Sequence, residues 1–388
     1  MSDTITFVKT SAETIYNDLL SGLENNLETP LYPGDQRRLF AEALAAVLVV
    51  FYNDFNESAK ARLLQYASGS VLDAIGARVN CPRLQATPAT TTIKFFLAAP
   101  RTVDTVIPKG TRGTADATVY FATDLNAAIP AGELSVEVPT TATATGTAGN
   151  GYDAGTITTL VDGVPYIAGI TNTTTSSGAD NGEPYPEADN GVGDNHYRAR
   201  IALANNQYTT AGPSEAYEYH TLSANADIED VKVDSEQTAG TVDIYITGKG
   251  GTDPTDGMIA DVLARLTDKK VRPLNDNITC QGPTVELYDI EIKYYVAAAN
   301  EAPAYTNIEG TGGAIEQFIK WQDAKIGRDI NPDKLRTLCL NPGKDAAGND
   351  LIGCYRLDVI SPAFTALTND KIARFSGTLT VTHEIVEE

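Results

Sequence analysis

The side chains that could do chemistry are few in this chain, and their spacing is unhelpful to most reactions. Three histidines, His196, His220 and His383, and four cysteines, Cys81, Cys280, Cys339 and Cys354, are spread over 388 residues. No histidines have HExxH or HxH spacing and no CxxC pair exists, so no metal-ligand set is expected. Cys339 and Cys354 could meet across a hairpin, but so few cysteines read as free thiols of a reducing cytosol. Ser-His-Asp catalysis would need a GxSxG elbow, which is absent. No GxGxxG follows a strand and there is no Walker A sequence, so nucleotide chemistry is unsupported. Paired carboxylates remain open to any two acids that meet in space, but a single tryptophan is a poor supply of sugar-stacking surface. The stretch Asp180 to Asp194, ending Gly191-Val192-Gly193-Asp194, fits neither the EF-hand nor the nonapeptide calcium pattern. It reads as a solvated acidic loop. The expectation is a protein that is not an enzyme, with no catalytic residues, metal or cofactor.

Charge narrows the partners. The formal net charge is −22, and between Arg112 and Arg198 there is no Lys or Arg against eleven Asp and Glu. Such a surface repels phosphate backbones, so nucleic acid is excluded as the main partner. The N-terminus lacks the charged and apolar regions of a secretory signal. The longest uninterrupted apolar run, Ala43 to Tyr52, is short of the ~20 residues of a membrane span, so no membrane insertion is expected.

The elements that would position any site come in a clear order. Residues 11–27 place Ile15, Leu19, Leu23 and Leu27 at helical spacing behind a Ser11 cap. Asp35 can cap a second helix that meets no proline or glycine before Gly69 and is expected to run to about Ala67. Its face Phe40, Leu44, Val47, Leu48, Phe51 and Phe55 is too apolar for one neighbouring helix to cover; it could be the core of a bundle within the chain, but with so few other helices nearby it reads as a surface for an intermolecular helix bundle. A short turn-helix comes next at 70–79. Residues 86–185 are rich in Thr, Ala and Gly, with alternating runs between turns, and predict a β-sandwich or open barrel. The echoes Ile107-Pro108-Lys109-Gly110 and Ile129-Pro130-Ala131-Gly132 mark turns entering strands. Residues 171–195 carry almost no large apolar side chain and predict an exposed linker.

The stretch 186–233 joins the two halves. A helix beginning at Asp194 or Asn195 carries Tyr197, Arg198, Arg200 and Ile201, breaks at Ala211-Gly212-Pro213, and resumes from Ser214 to Leu222 before a strand at 228–233. Arg198 and Arg200 are the first cations after eighty-five residues without one. With Tyr197 they are expected to form an inter-domain joint, pairing with nearby acids to fix the angle between the β region and the α+β region. Thereafter strands at 241–247, near 278, 285–297, 355–360 and 377–385 alternate with helices at 257–270, 313–326 and 332–340, the first capped by Asp256. The fold class expected is α+β multidomain: an N-terminal helical segment (1–85), a β-rich sandwich-like domain (86–189), and two α+β two-layer domains (190–283 and 284–388). Hinges are expected near 82–90, 186–195 and 282–286, where composition shifts.

Several short motifs fall in one order. They are Gly69-Ser70-Val71-Leu72-Asp73-Ala74-Ile75-Gly76, Ile107-Pro108-Lys109-Gly110-Thr111, Phe121-Ala122-Thr123, Ile129-Pro130-Ala131-Gly132, and Gly149-Asn150. After these come Tyr197-Arg198-Ala199-Arg200-Ile201, Ala211-Gly212, Asp230-Val231-Lys232-Val233, Gly240 to Ile246, and Arg272-Pro273-Leu274. In this order the chain resembles the baseplate J-like family of contractile phage tails and related injection particles. That resemblance implies a structural protein of the baseplate wedge, located in the virion tail and assembled in the host cytoplasm. The implied partners are other copies of itself, a companion wedge protein, and hub and sheath-proximal baseplate proteins. Together they would form a six-fold ring around the hub that rearranges when the sheath contracts. The alternative is a carbohydrate-binding or depolymerising tail protein, suggested by the Thr/Gly-rich β region. A cytosolic enzyme rests on fold class alone.

Overall fold

A computed structural model describes residues 5–8, 11–209, 213–235, 240–268, 271, 276–345 and 348–386. The motifs Ala211-Gly212 and Arg272-Pro273-Leu274 lie outside the described residues. The chain divides into two units, one of residues 1–83 with 185–202 and the other of residues 84–184 with 203–388. Its architecture is α+β and multidomain, with helices first, then a β-rich domain and two mixed two-layer domains.

The first unit begins with α1 (Ala12–Leu27) and α2 (Gln36–Lys60), an antiparallel hairpin, and α3 (Gly69–Arg78). Ser11 caps α1 by accepting from Thr14 N, and Asp35 caps α2 by accepting from Arg37 N, as their types predict. Arg38 Nε donates to the Tyr16 hydroxyl at 2.6 Å and Glu24 accepts from Leu31 N, tying the turn. α2 ends at Lys60, seven residues before the predicted stop. Residues 61–67 tighten into i→i+3 turns such as Leu63 N to Lys60 O. No proline or glycine forces this end; Ala61 N, Arg62 N and Leu63 N take the carbonyls of Glu57, Ala59 and Lys60. α4 (Pro186–Asp189) and α5 (Val192–Leu203) complete the unit.

The second unit opens with β1 (Pro88–Leu97), β2 (Thr105–Ile107), β3 (Arg112–Thr114), β4 (Tyr120–Thr123), β5 (Ala127–Ile129), β6 (Ser135–Thr145), β7 (Thr159–Leu160) and β8 (Ile167–Asn172). Six of them form an antiparallel sheet in the order β7-β3-β4-β6-β1-β8, and β2 pairs with β5 as a separate ribbon. The sheet turns Ile93, Phe95, Leu97, Phe121, Val138 and Ile170 into one core, which Ile107 and Ile129 enter from the ribbon. The two sequence echoes are therefore the matching ends of the two ribbon strands, each turning on a glycine with positive φ, Gly110 and Gly132.

The segment after β8 corrects an expectation. It is not an exposed linker, because Ser176, Ala179, Asp180 and Glu183 are all buried. Hydrogen bonds substitute for the missing apolar side chains. Thr90 and Thr87 bridge to Ser177 and Asp180, the Thr91 hydroxyl donates to Thr174 O, and Glu183 accepts from Leu84 N at 2.7 Å.

The central module has α6 (Ser214–Leu222), β9 (Ile228–Asp234), β10 (Thr241–Gly248), α7 (Asp256–Leu266) and β11 (Asn277–Gln281). β10 is the middle strand, antiparallel to β9 and parallel to β11. Its Val242, Ile244 and Ile246 pack against Tyr217 and Leu222 of α6 and Met258, Val262 and Leu266 of α7. Thr255, not Asp256, caps α7 by accepting from Met258 N. The last module has β12 (Thr284–Ala297), α8 (Glu301–Glu309), α9 (Ala314–Asp323), α10 (Pro332–Leu340), β13 (Arg356–Ser361) and β14 (Lys371–Val386). β12 is central, parallel to β14 and antiparallel to β13. Its inward side chains Ile290, Ile292, Tyr294 and Val296 pack against Phe318 and Leu335 of the helices. α8 is an addition to the expected elements, since Pro303 and a weak apolar stripe hide it; the proline sits in the first turn, where its missing N–H costs no bond.

Candidate assembly surface and fastening points

The predicted bundle face of α2 stands in solvent in this chain. Phe40 is 67% exposed, Val47 65% and Phe51 60%, with Phe55 and Leu44 also exposed and Leu48 half-buried. The residues that α2 buries are instead Ala41, Ala45 and Asn56. Its amphipathicity is therefore inverted: small side chains face the inside of the unit and large apolar ones face out. By length and composition α2 could also cross a membrane, with mean hydropathy 1.4 over its apolar window, although no uninterrupted run reaches that length. Asn56 fastens the start of the chain to this helix. Its Oδ1 accepts from Phe7 N and Val8 N at 2.8 and 3.0 Å, and its Nδ2 donates to Val8 O at 2.9 Å.

Tyr197, Arg198 and Arg200 do come together, but on the N-terminal helices. Arg198 Nε donates to Leu64 O at 2.8 Å and its Nη2 to Ala67 O at 2.7 Å. A guanidinium thus satisfies two carbonyls of the turns that follow α2. The Tyr197 hydroxyl donates to Cys81 O at 2.7 Å, and Arg200 Nη1 donates to Pro82 O. Tyr197 is 1% exposed and fits against Gly76, where a Cβ would lie 2.0 Å from its hydroxyl. Residues 185–202 therefore belong with the N-terminal unit rather than opening the domain expected at 190–283. These long-range bonds to carbonyls leave no periodic trace in sequence.

The expectation that Arg198 pairs with acids is corrected as well. The pairing shown for Arg198 is with carbonyls and with Asn195 Oδ1, while the double ion pair belongs to Arg83. Arg83 Nη2 lies 2.9 Å from Asp73 and 2.7 Å from Asp194, and its guanidinium lies between the rings of Tyr185 and Tyr197, 4.8 and 4.7 Å from their centroids. Burial alone would lower the Arg83 pKa; hydrogen bonds to Asp194 and Asp73 raise it instead. Asp194 also accepts from Gly69 N at 2.8 Å, so the last acid of the acidic stretch closes the first turn of α3. Arg83 comes directly after a Cys-Pro step with nothing periodic around it, and no sequence signal points to it.

In the second unit the acids Asp180 and Asp230 have comparable structural roles. Asp180 accepts from Gly182 N and, at 2.7 Å, from Ala226 N, tying the β domain to the central module. Asp230 accepts from Lys325 Nζ at 2.7 Å and Ile326 N at 2.8 Å, tying the central module to the last one. Arg374 donates to Gly251 O and Asp253, and Tyr245, Ile326 and Ile372 form a small buried cluster beside them. The step at 282–286, expected to be a hinge, is thus bridged by buried polar and apolar contacts.

Among the described residues no group of three or more His, Cys, Asp and Glu is placed to hold a metal. Cys339 and Cys354 do meet, Cys354 N donating to Cys339 O, but both are free thiols. Burial pushes their pKa values up to about 12 and about 11, which suppresses the reactive thiolate. His220, in α6, is held down to about 4, first by burial and then by the positive charge of Arg265. A depressed histidine stabilises the fold above its unfolded value of 6.5, and that contribution is lost as pH falls towards 4. The urea midpoint of the wild type is expected to drop over this interval. His220→Phe should flatten the drop, and an unchanged profile would refute the assignment.

The geometry describes a scaffold of modules, each with its own core, in which these charges fasten elements and, among the described residues, the large apolar face of α2 is exposed. Sequence comparison gives the class a family. The baseplate J-like N-terminal domain matches residues 39–90, the baseplate J-like protein barrel domain residues 92–179, and the baseplate J-like central domain residues 209–282. The chain belongs to the baseplate J-like family. Baseplate protein J of Escherichia phage P2 is 28% identical over 137 residues, which is 35% of this chain and 44% of that protein, so less than half of the relative's length is spanned. A chain in the cryo-EM structure of the anti-feeding prophage baseplate, six-fold symmetrised, is 13% identical with a TM-score of 0.39, over 94% of this chain and 90% of that one.

Proposed function

We propose that this chain is a structural component of the baseplate wedge of a contractile tail or related injection particle. It assembles with copies of itself and a companion wedge protein into a six-fold ring around the hub, contacts sheath-proximal proteins, and rearranges on contraction. It is a building block rather than an enzyme. The observation that carries the reading is the inverted amphipathicity of α2. Burying side chains as large as Phe40, Val47 and Phe51 against partner helices is worth about 1.5–3 kcal/mol each, which is reason enough for the face to be covered in the assembled particle. Residues Phe40, Leu44, Val47, Leu48, Phe51 and Phe55 form that bundle contact.

Phe51→Asp is expected to leave the soluble chain folded, because Phe51 is already exposed, and to exclude it from tail particles. Normal incorporation would overturn the bundle role, and binding of the wild type to phospholipid vesicles would assign the face to a membrane instead. Rearrangement is expected to proceed by rigid-body motion about 82–90, where the chain passes from one unit to the other after Arg83. Comparing extended and contracted particles tests this; bending within a module would count against it.

A further inference from the structure

β14 leaves one edge open over an unusual length. Near its start Ile372 is bridged by Ile326 and Lys371 O accepts from Gly327 N, so that part of the edge is covered. From Gly377 to Val386, no strand among the described residues lies on the side away from β12. Ten residues at ~3.3 Å each give roughly 33 Å of strand. Natural edges are usually protected by lysine, proline or an inward-pointing charge. The stretch GTLTVTHEIV has no Lys, Arg or Pro, and its one acid, Glu384, is paired with Lys293 of β12 at 2.7 Å. Leu379, Val381, His383 and Ile385 lie opposite Ile290, Ile292, Tyr294 and Val296, on the core face of the sheet. Val381 and His383 have partners there: Val381 packs on the module core, and His383 stacks on Tyr294 at 5.2 Å. Leu379 and Ile385 remain 47% and 49% exposed.

The geometry points to a second copy of this chain as the occupant, its β14 pairing antiparallel with this one across a two-fold axis at Thr382. Directly opposed residues in an antiparallel pair share a face and a hydrogen-bonding direction, so a strand that pairs with itself must be centred on a residue. Centring on Thr382 sets Leu379 opposite Ile385 of the other copy, twice by symmetry. It also sets Val381 opposite His383 and Thr380 opposite Glu384. The two exposed apolar side chains cover each other, and no like charges are opposed. The strand complements itself in this register, which is the argument for a copy rather than a foreign strand. This deepens the wedge reading, on which the contact between copies rests, by naming the strand that makes it.

The test uses the full-length chain under mild oxidation, with the wild type as background. Thr382→Cys is expected to form a disulfide-linked dimer on a non-reducing gel. Thr378→Cys, four residues from the axis, should stay at background. Leu379→Lys should weaken self-association in sedimentation on the order of tenfold, since two cross-strand contacts are lost. Adding Ile385→Glu to that variant should restore it, because opposite charges then face each other in this register alone. No cross-link at Thr382→Cys, equal cross-linking at both positions, or no rescue overturns the inference. Those results leave the wedge reading standing if Phe51→Asp is still excluded from particles. A chain that never co-purifies with tail particles defeats the wedge reading whatever the cross-links show.

Discussion

Arg83→Ala is expected to lower the stability of the N-terminal unit by about 3–5 kcal/mol, the usual cost of removing one partner from a buried ion pair. The reason is what stays behind. The Asp194 side chain is only 3% exposed and would be left buried without its cation. Asp73 and Tyr185 would lose their shared neighbour, and two aromatic faces their cation. Arg83→Met combined with Asp194→Asn should recover part of the loss, because the amide oxygen can still accept from Gly69 N while the stranded carboxyl is gone. Thermal unfolding of the full chain, with limited proteolysis to locate the early transition, gives the measurement. A loss below about 1 kcal/mol, the range of an exposed pair, would show that the knot is not the fastening described.

Gly251→Ala should have a comparable effect at the joint between the two α+β modules. Gly251 has φ +74°, the left-handed region that costs an alanine roughly 1–2 kcal/mol. A Cβ there would also sit 2.0 Å from Asp323 O, a backbone atom that cannot turn aside. Overpacking of that kind costs about 1–3 kcal/mol more, or the modules separate to relieve it. Gly251 O is moreover the acceptor for Arg374, so movement at this residue also disturbs that bridge. The expected outcome is cooperative unfolding that splits into two transitions in calorimetry. A variant that melts in one transition at the wild-type temperature would refute the rigid joint and bring back a hinge at 282–286.

These two residues show where sequence reading stops. The periodic elements are legible: α1 and the start of α2 from spacing and caps, β10 from strict alternation, and the paired ribbon turns from their glycines. α8 is hidden because its apolar residues make no stripe. α2 ends short of its predicted place, and the turns at 61–67 that replace its last part are tied by Arg198, more than a hundred residues further along. The acidic stretch reads as solvent-exposed because its side chains are polar, and polarity in sequence does not say whether a carboxylate meets water or a backbone N–H. Glu183 and Asp194 meet backbone N–H groups and are buried. Tyr197, Arg198 and Arg200 do form a cluster, and Arg198 meets carbonyls of the N-terminal unit and Asn195 rather than the acids expected of it.

By itself the sequence determined the order of modules, the family, the over-apolar helix at its start and a charge unsuited to nucleic acid. All of these depend on local pattern or composition, which neighbouring residues carry among themselves. Only the tertiary structure decided that α2 turns its large side chains outward, that Arg83 rather than Arg198 pairs with the acids, and that β14 ends on an open edge. Each of those depends on which distant groups come within hydrogen-bonding or van der Waals reach, and a residue's type does not specify its partners.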